Sequence, residues 1–197
     1  SSRMSAAQRQ AAAASVQEVL SKGKQGQEAV QIDDMLFRVS DLVATNAFTG
    51  TQWTNGKVYF QFDAGLTDFM KGQWATACAM WEAAADLEFI ERTSETNYIL
   101  VKDSTGNSSF VGMIGGSQDL NMFNWSFETI IAHEIGHALG LRHEQSRPDR
   151  DTYVNILTAN IEPGREGNFA ISPSAVTYTA YDFHSALHYG KTAFAIS

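Results

Sequence analysis

Apolar residues recur along the chain with two different periods, and these periods predict its secondary structure. Residues 57–62 alternate, and three further short apolar runs follow, so we expect strands at 57–62, 87–92 and 98–102 and one or two more within 109–122. Residues 67–86 and 127–140 carry apolar positions at helical spacing and predict two long helices. This order predicts an α+β fold in which helices cover a twisted, mixed sheet.

The two ends of the chain have weaker patterns. Residues 5–22 are rich in Ala, Gln and Ser and predict a marginal surface helix, and residues 44–56 are polar and contain glycine, as is typical of a linker. The chain after Gly140 is expected to be rich in loops, with a short helix near 154–160.

Composition narrows the possible functions. The chain has 197 residues, which suits one compact domain or one domain plus a short extra segment, and its hydrophobic content of 44 % is enough for a core. A net charge of −8 disfavours nucleic-acid binding, and the absence of a long apolar run disfavours membrane insertion. The single cysteine, Cys78, cannot form an internal disulfide, and we expect it to be a small buried hydrophobic residue.

The second predicted helix carries the most informative motif of the chain. His133 and His137 are four residues apart, so their imidazole rings lie one turn apart on the same face and can converge on one ion. Glu134 lies about 100° around the helix from His133, beside the ion rather than on it. Ser126 is the expected N-cap of this helix.

A third histidine follows a glycine at a fixed distance. Gly140 can adopt a positive φ, end the helix and turn the chain, so that His143 reaches the same ion from another direction. Three neutral imidazoles leave Zn²⁺ an open position for water, which is the catalytic arrangement. The sequence therefore predicts one catalytic zinc ion held by His133, His137 and His143, with Glu134 as the general base.

The complete motif, H-E-x-x-H-x-x-G-x-x-H, resembles that of the metzincin zinc endopeptidases. A glutamate directly after the third histidine, here Glu144, resembles the motif of the astacin branch of that clan. The run at 147–154 and the segment Ser-Ala-Leu-His-Tyr-Gly at 185–190 also resemble astacins. The resemblance extends from about Trp53 to Ser197, and it implies a zincin-like fold and hydrolysis of protein or peptide substrates.

The resemblance also implies roles for residues outside the motif. Tyr189 would be a movable zinc ligand that swings away to hydrogen-bond the oxyanion during catalysis, although a tyrosine alone is more often a core aromatic. Glu144 would bind, through water, the amino terminus that activation creates. An edge strand would hold an extended substrate by main-chain pairing, and we expect it to comprise Ser117, Gln118, Asp119, Leu120 and Asn121.

The chain departs from the astacin pattern in three ways. Leu187 stands where the family has a methionine that packs beneath the metal, and leucine is close enough in volume to be tolerated. The usual family cysteines are absent. Astacins also continue beyond the position that corresponds to Ser197, so the C-terminal subdomain is expected to be incomplete.

The amino-terminal part is expected to be an inhibitory pro-segment. Astacins are made as zymogens, in which an aspartate of the pro-segment is a zinc ligand. The nearest match here is Asp34, with Asp33 as the alternative and a solvated turn as the other possibility. We therefore expect residues 1–45 to be the pro-segment, residues 46–197 the catalytic domain, and activation to cut within 43–52.

Two other functional interpretations remain open. One is a metzincin of another branch, which Glu144 and the segment around Tyr189 argue against. The other is a zinc-bound peptide-recognition module without catalysis, which the intact Glu134 argues against. Because astacins are usually secreted, the resemblance also implies a secreted protein, although no export signal is visible in the sequence.

Overall fold

The fold is seen in a computed structural model that describes residues 29–32, 34–38, 51–172 and 175–196. The helix predicted at 5–22, Asp33, most of the expected activation region and the first part of the predicted linker lie outside the described residues.

The described chain contains seven strands and two α-helices. In chain order these are β1 (Ala29–Ile32), β2 (Met35–Arg38), β3 (Lys57–Phe62), α1 (Asp68–Ala84), β4 (Glu88–Glu91), β5 (Tyr98–Asp103), β6 (Ser108–Phe110), β7 (Ser117–Met122) and α2 (Glu128–Ala138). Short 3-10 helices lie at Thr54–Gly56, Glu144–Ser146, Arg150–Thr152, Thr158–Asn160 and Glu166–Phe169. The two predicted helices and the strands predicted after residue 56 are confirmed, and the region 109–122 contains two strands.

The chain divides into two compact units. Residues 34–36 and 51–141 form one of them, which we call the helix–sheet unit. The other, the C-terminal unit, comprises the described residues 29–32, 37–38, 142–172 and 175–196.

The strands of the helix–sheet unit form a mixed sheet in the order β2-β6-β7-β5-β3-β4. β6 and β7 are antiparallel, whereas the other neighbouring pairs are parallel. The mixed sheet predicted from the order of the elements is therefore confirmed. β2 contributes its residues 35–36, which pair with residues 109–110 of β6.

The expectation that β7 is the substrate-binding edge strand is wrong. Its residues pair with β5 along their whole length, and Leu120 and Asn121 also pair with β6 on the other side. Where a strand is paired on both sides, its main chain has no free edge for a peptide. This correction applies directly to Leu120 and Asn121, whereas, among the described residues, Ser117, Gln118 and Asp119 of the same strand pair with β5 alone.

The two helices pack against each other beside the sheet. The Trp81 indole N–H of α1 donates to the Ala132 carbonyl of α2 at 2.8 Å, and the buried core includes Trp74, Ile99 and Ile135. Cys78 belongs to this core, as predicted. The Thr67 hydroxyl caps α1 by accepting from the Met70 N–H.

The predicted N-cap of α2 is wrong by one position. The helix begins at Glu128, so Phe127 is its N-cap residue and makes no side-chain cap bond. Ser126 lies one residue too early for its hydroxyl to meet the first free N–H groups of the helix. Glu128 is in the first turn, where its charge complements the helix dipole.

The C-terminal unit is rich in loops, as predicted. The short helix expected near 154–160 is limited to the 3-10 turn at Thr158–Asn160. The buried guanidinium of Arg150 donates to the carbonyls of Gln145 and Phe169, and it thereby joins two segments of this unit. Across the described residues, no helix has the length and apolar character needed to cross a membrane.

Replacing Trp53 by Phe should destabilise the protein more than replacing Trp74 by Phe. Both side chains are buried, but only the Trp53 indole N–H has a partner among the described residues, the Ala138 carbonyl at 2.8 Å. Trp53→Phe leaves that buried carbonyl without its donor, so we expect an extra loss of about 1–2 kcal/mol in the free energy of unfolding. Chemical denaturation of both variants measures this difference, and equal losses would contradict it.

Candidate metal centre

Two histidines of α2 bring their ring nitrogens together. The Nε2 atoms of His133 and His137 are 3.1 Å apart, and the two rings are perpendicular with centroids 4.7 Å apart. His137 is fully buried and His133 is partly exposed. The i, i+4 spacing therefore produces the convergence expected from the sequence.

Asp34 meets both histidines within the same unit. Its carboxylate oxygens lie 3.1 Å from His133 Nε2 and 3.3 Å from His137 Nε2. Main-chain pairing with β6 holds this segment, because the Ser109 N–H donates to the Asp34 carbonyl at 2.8 Å and the Val111 N–H donates to the Leu36 carbonyl at 3.2 Å. Asp34 is thus placed by the backbone as well as by its side chain.

The spacing of these three donor atoms fits a zinc ion. Ligand atoms at about 2.0–2.1 Å from a tetrahedral ion are about 3.3–3.4 Å apart. The observed separations of 3.1–3.3 Å are close to that value. Imidazole nitrogen and carboxylate oxygen are also the ligand types that zinc prefers besides thiolate.

The tautomer of His137 leaves a lone pair for a metal. Its Nδ1 lies 2.9 Å from the Leu141 carbonyl oxygen, which can only accept, so Nδ1 carries the proton and donates. When the ring is neutral, its Nε2 therefore has a lone pair, and this atom faces His133 and Asp34. A hydrogen bond of this kind from the far nitrogen is the usual support of a zinc-binding histidine.

The turn after α2 creates this support. Gly140 has a φ of 103°, and the Leu141 N–H donates back to the Gly136 carbonyl at 2.9 Å. This closes the helix with a glycine in the left-handed region, as the sequence predicts, and it directs the Leu141 carbonyl toward the His137 ring. The Gly112 N–H donates to the His137 carbonyl at 2.8 Å and secures the same end of the helix.

Gln118 supports the loop that contains Gly112. Its buried carboxamide accepts from the Ile114 N–H at 3.1 Å and donates to the Gly112 carbonyl at 2.9 Å. Sequence reasoning assigned Gln118 to substrate binding and missed this role. The glycine-rich run 112–116 could have indicated this role, because such a loop needs a neighbouring side chain to hold its backbone.

Glu134 lies on α2 next to the first histidine and is only 1 % exposed. A carboxylate beside a metal centre that excludes water can act as a base without competing hydration. Its position agrees with the 100° displacement expected from helical geometry.

His143 and Tyr189 lie together in the C-terminal unit. Their ring centroids are 4.5 Å apart, and His143 is buried. The Tyr189 N–H donates to the side-chain oxygen of Gln145 at 3.0 Å, so Gln145 fixes the backbone of the tyrosine. The sequence did not predict this role of Gln145, because no motif singles out that residue.

Glu144 has polar partners within its own unit. Its Oε1 accepts from the Arg147 guanidinium at 2.7 Å and from the Asp182 N–H at 2.9 Å. Its own N–H donates to the carbonyl of the buried Leu187. These bonds join the 3-10 turn at Glu144–Ser146 to the segment before Tyr189.

His188 links that segment to a tyrosine. Its Nδ1 lies 2.8 Å from the Tyr189 carbonyl and must donate there, so its Nε2 accepts from the Tyr181 hydroxyl at 2.8 Å. Burial raises the pKa of Tyr181 to about 12 and lowers the pKa of His188. Both shifts favour the neutral forms that this hydrogen bond requires.

Comparison with known proteins identifies the family. The sequence profile of Astacin (Peptidase family M12A) matches residues 45–197. The chain belongs to the astacin family. High choriolytic enzyme 1 of Oryzias latipes is 35 % identical over 178 residues, which cover 83 % of this chain. Tolloid-like protein 2 of Homo sapiens is 35 % identical over 159 residues, which cover 77 % of this chain.

A solved astacin structure supports the fold. The structure of high choriolytic enzyme 1, described as a hatching enzyme zinc-protease, aligns with a TM-score of 0.68 at 34 % identity, covering 75 % of this chain and 76 % of that one. The metzincin fold and the zinc cofactor predicted from the sequence are thereby confirmed. The chain spans 66 % of the length of high choriolytic enzyme 1 and 16 % of Tolloid-like protein 2.

Replacing Gly140 by Ala should weaken zinc binding. The φ of 103° is strained for alanine, so the turn should shift and move the Leu141 carbonyl away from His137 Nδ1. Loss of such a supporting hydrogen bond lowers metal affinity by about tenfold or more. A competition titration with a zinc chelator measures the affinity.

Gly65→Ala is the matched control for this prediction. Gly65 has a similar φ of 97° and open space around it, but it lies in the turn between β3 and α1. The control should lose stability without losing zinc affinity. Equal affinity losses in both variants would show that the turn after α2 has no special role.

Proposed function

We propose that this protein is a zinc-dependent endopeptidase that hydrolyses peptide bonds in proteins. The observation that carries this proposal is the convergence of His133 and His137 on one point, 3.1 Å apart at their Nε2 atoms, with the buried Glu134 next to them on α2. Membership of a peptidase family supports it.

The third zinc ligand in this proposal is His143. It follows Gly140 by three residues, and the turn at Gly140 ends α2 as the motif requires. Three neutral histidines preserve the full charge of the ion and leave one position open, which suits catalysis rather than a structural role.

Each remaining residue of the proposed site has a defined task. Zinc, when bound, supplies a Lewis acid that polarises the scissile carbonyl and lowers the pKa of water. Glu134 takes the proton of the attacking water and passes it to the leaving amine. The Tyr189 hydroxyl donates to the oxyanion, and the backbone bond to Gln145 holds that residue in place.

The substrate is proposed to pair with β6 rather than with β7. The peptide segment 34–36 forms main-chain hydrogen bonds with β6 on the side away from β7, which supports the use of that edge by an extended peptide. The same segment brings a carboxylate to the two histidines, so the edge and the metal centre lie next to each other.

Asp34 is proposed to block the zinc in the uncut chain. Its oxygens lie 3.1–3.3 Å from the two Nε2 atoms, so they are within reach of the position that water needs. Residues 1–45 would then be an inhibitory pro-segment. Cleavage within 43–52 would release it and create an amino terminus for Glu144.

Replacing Asp34 by Ala should activate the uncut chain. Without the carboxylate, water can reach the zinc, so cleavage of a fluorogenic peptide mixture by the zinc-loaded full chain should rise at least about tenfold, the equivalent of a contact worth about 1.4 kcal/mol. Asp33→Asn, at the adjacent position, is the control and should change nothing. Activation by Asp33→Asn instead would transfer the role to Asp33, and no activation by either variant would refute the aspartate block.

Replacing Glu134 by Gln in the Asp34→Ala chain should abolish cleavage while zinc remains bound. Glutamine preserves the shape of the side chain but cannot accept a proton, and loss of a general base lowers the rate by about 10²–10⁴-fold. Metal analysis and a peptide-cleavage assay on the same sample separate the two effects. If the Asp34→Ala chain binds zinc but never cleaves, the interpretation as a silent peptide-recognition module replaces the endopeptidase.

Partners and location follow from the proposed activity. The partners would be protein or peptide substrates and the chain's own pro-segment, with no nucleic acid and no insertion into a membrane. Secretion is proposed from the family resemblance alone.

A further inference from the structure

The run at 147–154, which resembles astacins but has no task in the chemistry proposed above, contains a buried arginine. Arg150 is 2 % exposed, and its Nη1 group donates both to the Gln145 carbonyl at 2.8 Å and to the Phe169 carbonyl at 2.7 Å. Its Nε donates to the Asp151 carboxylate at 2.7 Å. Burial of a guanidinium is costly unless its donors find acceptors, so these bonds fix the two carbonyls relative to each other.

One of the two segments that Arg150 joins holds the backbone of Tyr189. The side chain of Gln145 is buried, and its Oε1 accepts from the Tyr189 N–H at 3.0 Å. Arg150 binds the main chain of this same glutamine. A displacement of Arg150 therefore reaches the Tyr189 backbone through one intervening residue.

The other segment packs against the ring of Tyr189. The Phe169 ring meets it edge to face, with centroids 5.5 Å apart and an interplanar angle of 82°. The rings of Phe194 and His143 also contact it, at centroid distances of 5.6 and 4.5 Å. Aromatic pairs have preferred geometries, so the position of Phe169 limits the positions that the Tyr189 ring can adopt.

We propose that Arg150 is a positioning residue for Tyr189 in peptide-bond hydrolysis. The inference rests on the proposed function, in which the Tyr189 hydroxyl donates to the oxyanion. Arg150 acts on this tyrosine in two ways, through the backbone contact of Gln145 and through the ring of Phe169. An oxyanion donor contributes only within hydrogen-bond distance of the developing charge, so a small displacement of the phenol lowers the rate.

The position of Tyr189 can be followed without any activity. The chain has six tyrosines, and labelling with fluorotyrosine gives each of them a fluorine NMR signal, of which that of Tyr189 is assigned by its loss in Tyr189→Phe. In the zinc-loaded full chain we expect Arg150→Lys to shift or broaden the Tyr189 signal, because one ammonium group cannot reproduce the fork of a guanidinium. An unchanged Tyr189 signal would overturn the proposal.

Arg147 provides the matched control for this measurement. It lies three residues earlier in the same run, and its guanidinium also donates to two main-chain carbonyls. The ring that it faces is that of Tyr181, with the centroid 5.3 Å away. Arg147→Lys should therefore shift the Tyr181 signal and leave that of Tyr189 in place. An equal shift of the Tyr189 signal in both variants would mean that Arg150 only supports the unit in general, and the proposal would fail.

Kinetics in the Asp34→Ala chain test the catalytic consequence. Arg150→Lys should lower kcat about tenfold and change KM less than about twofold, because the contact that it misplaces acts on the transition state. In the Tyr189→Phe background the same substitution should lower kcat less than about twofold, since the hydroxyl that it positions is already absent. Full additivity of the two substitutions would contradict the proposal. An Asp34→Ala parent that cleaves nothing would contradict the proposed function, and the fluorine NMR signal alone would then decide whether Arg150 positions Tyr189.

Two further variants test the same links if Arg150→Lys does not fold. Gln145→Asn withdraws the side-chain oxygen from the Tyr189 N–H while Arg150 remains, and Phe169→Leu removes the ring contact. Each variant should shift the Tyr189 signal, with thermal unfolding of the same samples confirming that they are folded. If neither variant moves the signal, the two links between Arg150 and Tyr189 have no effect, and the proposal is refuted.

Discussion

The site depends on the need of the carbonyl groups at the end of α2 for hydrogen-bond donors. The last carbonyls of a helix have no partner within it and need donors from elsewhere. Here the Gly112 N–H satisfies the His137 carbonyl, the Trp53 indole satisfies the Ala138 carbonyl, and the Leu141 N–H turns back to the Gly136 carbonyl. The last turn of α2, which carries the second histidine, is therefore fixed from three directions.

These bonds orient a metal ligand as well as stabilising the fold. The backward turn at Gly140 brings the Leu141 carbonyl within 2.9 Å of His137 Nδ1, and this bond decides which ring nitrogen keeps its lone pair. Gln118 extends the same network, since it holds the loop from which Gly112 donates. Gln118, the second residue of β7, thus contributes to the geometry of a histidine through the loop that it holds.

The sequence predicted the elements and the family because both depend on local pattern. Alternation at 57–62, helical spacing at 127–140 and the glycine after His137 each constrain only nearby residues. The strand order depends on long-range pairing, and no pattern within residues 117–121 distinguishes an edge strand from an inner one. For that reason the substrate edge was assigned to β7, although it is β6 that has the segment 34–36 as its second neighbour. The support from Gln118 and Gln145 depends on tertiary contacts in the same way.

The pairing of segment 34–36 with β6 explains how one aspartate is held close to two histidines. Backbone hydrogen bonds fix the register of Met35 on Ser109 and of Leu36 on Phe110. Asp34 precedes these residues directly, so its position follows from the register and its carboxylate needs only a side-chain rotation to reach the rings. A shift of one residue would turn the side chains to the opposite face of the sheet. Main-chain pairing therefore sets the position of Asp34, and its carboxylate provides the oxygen atoms that lie near the two histidines.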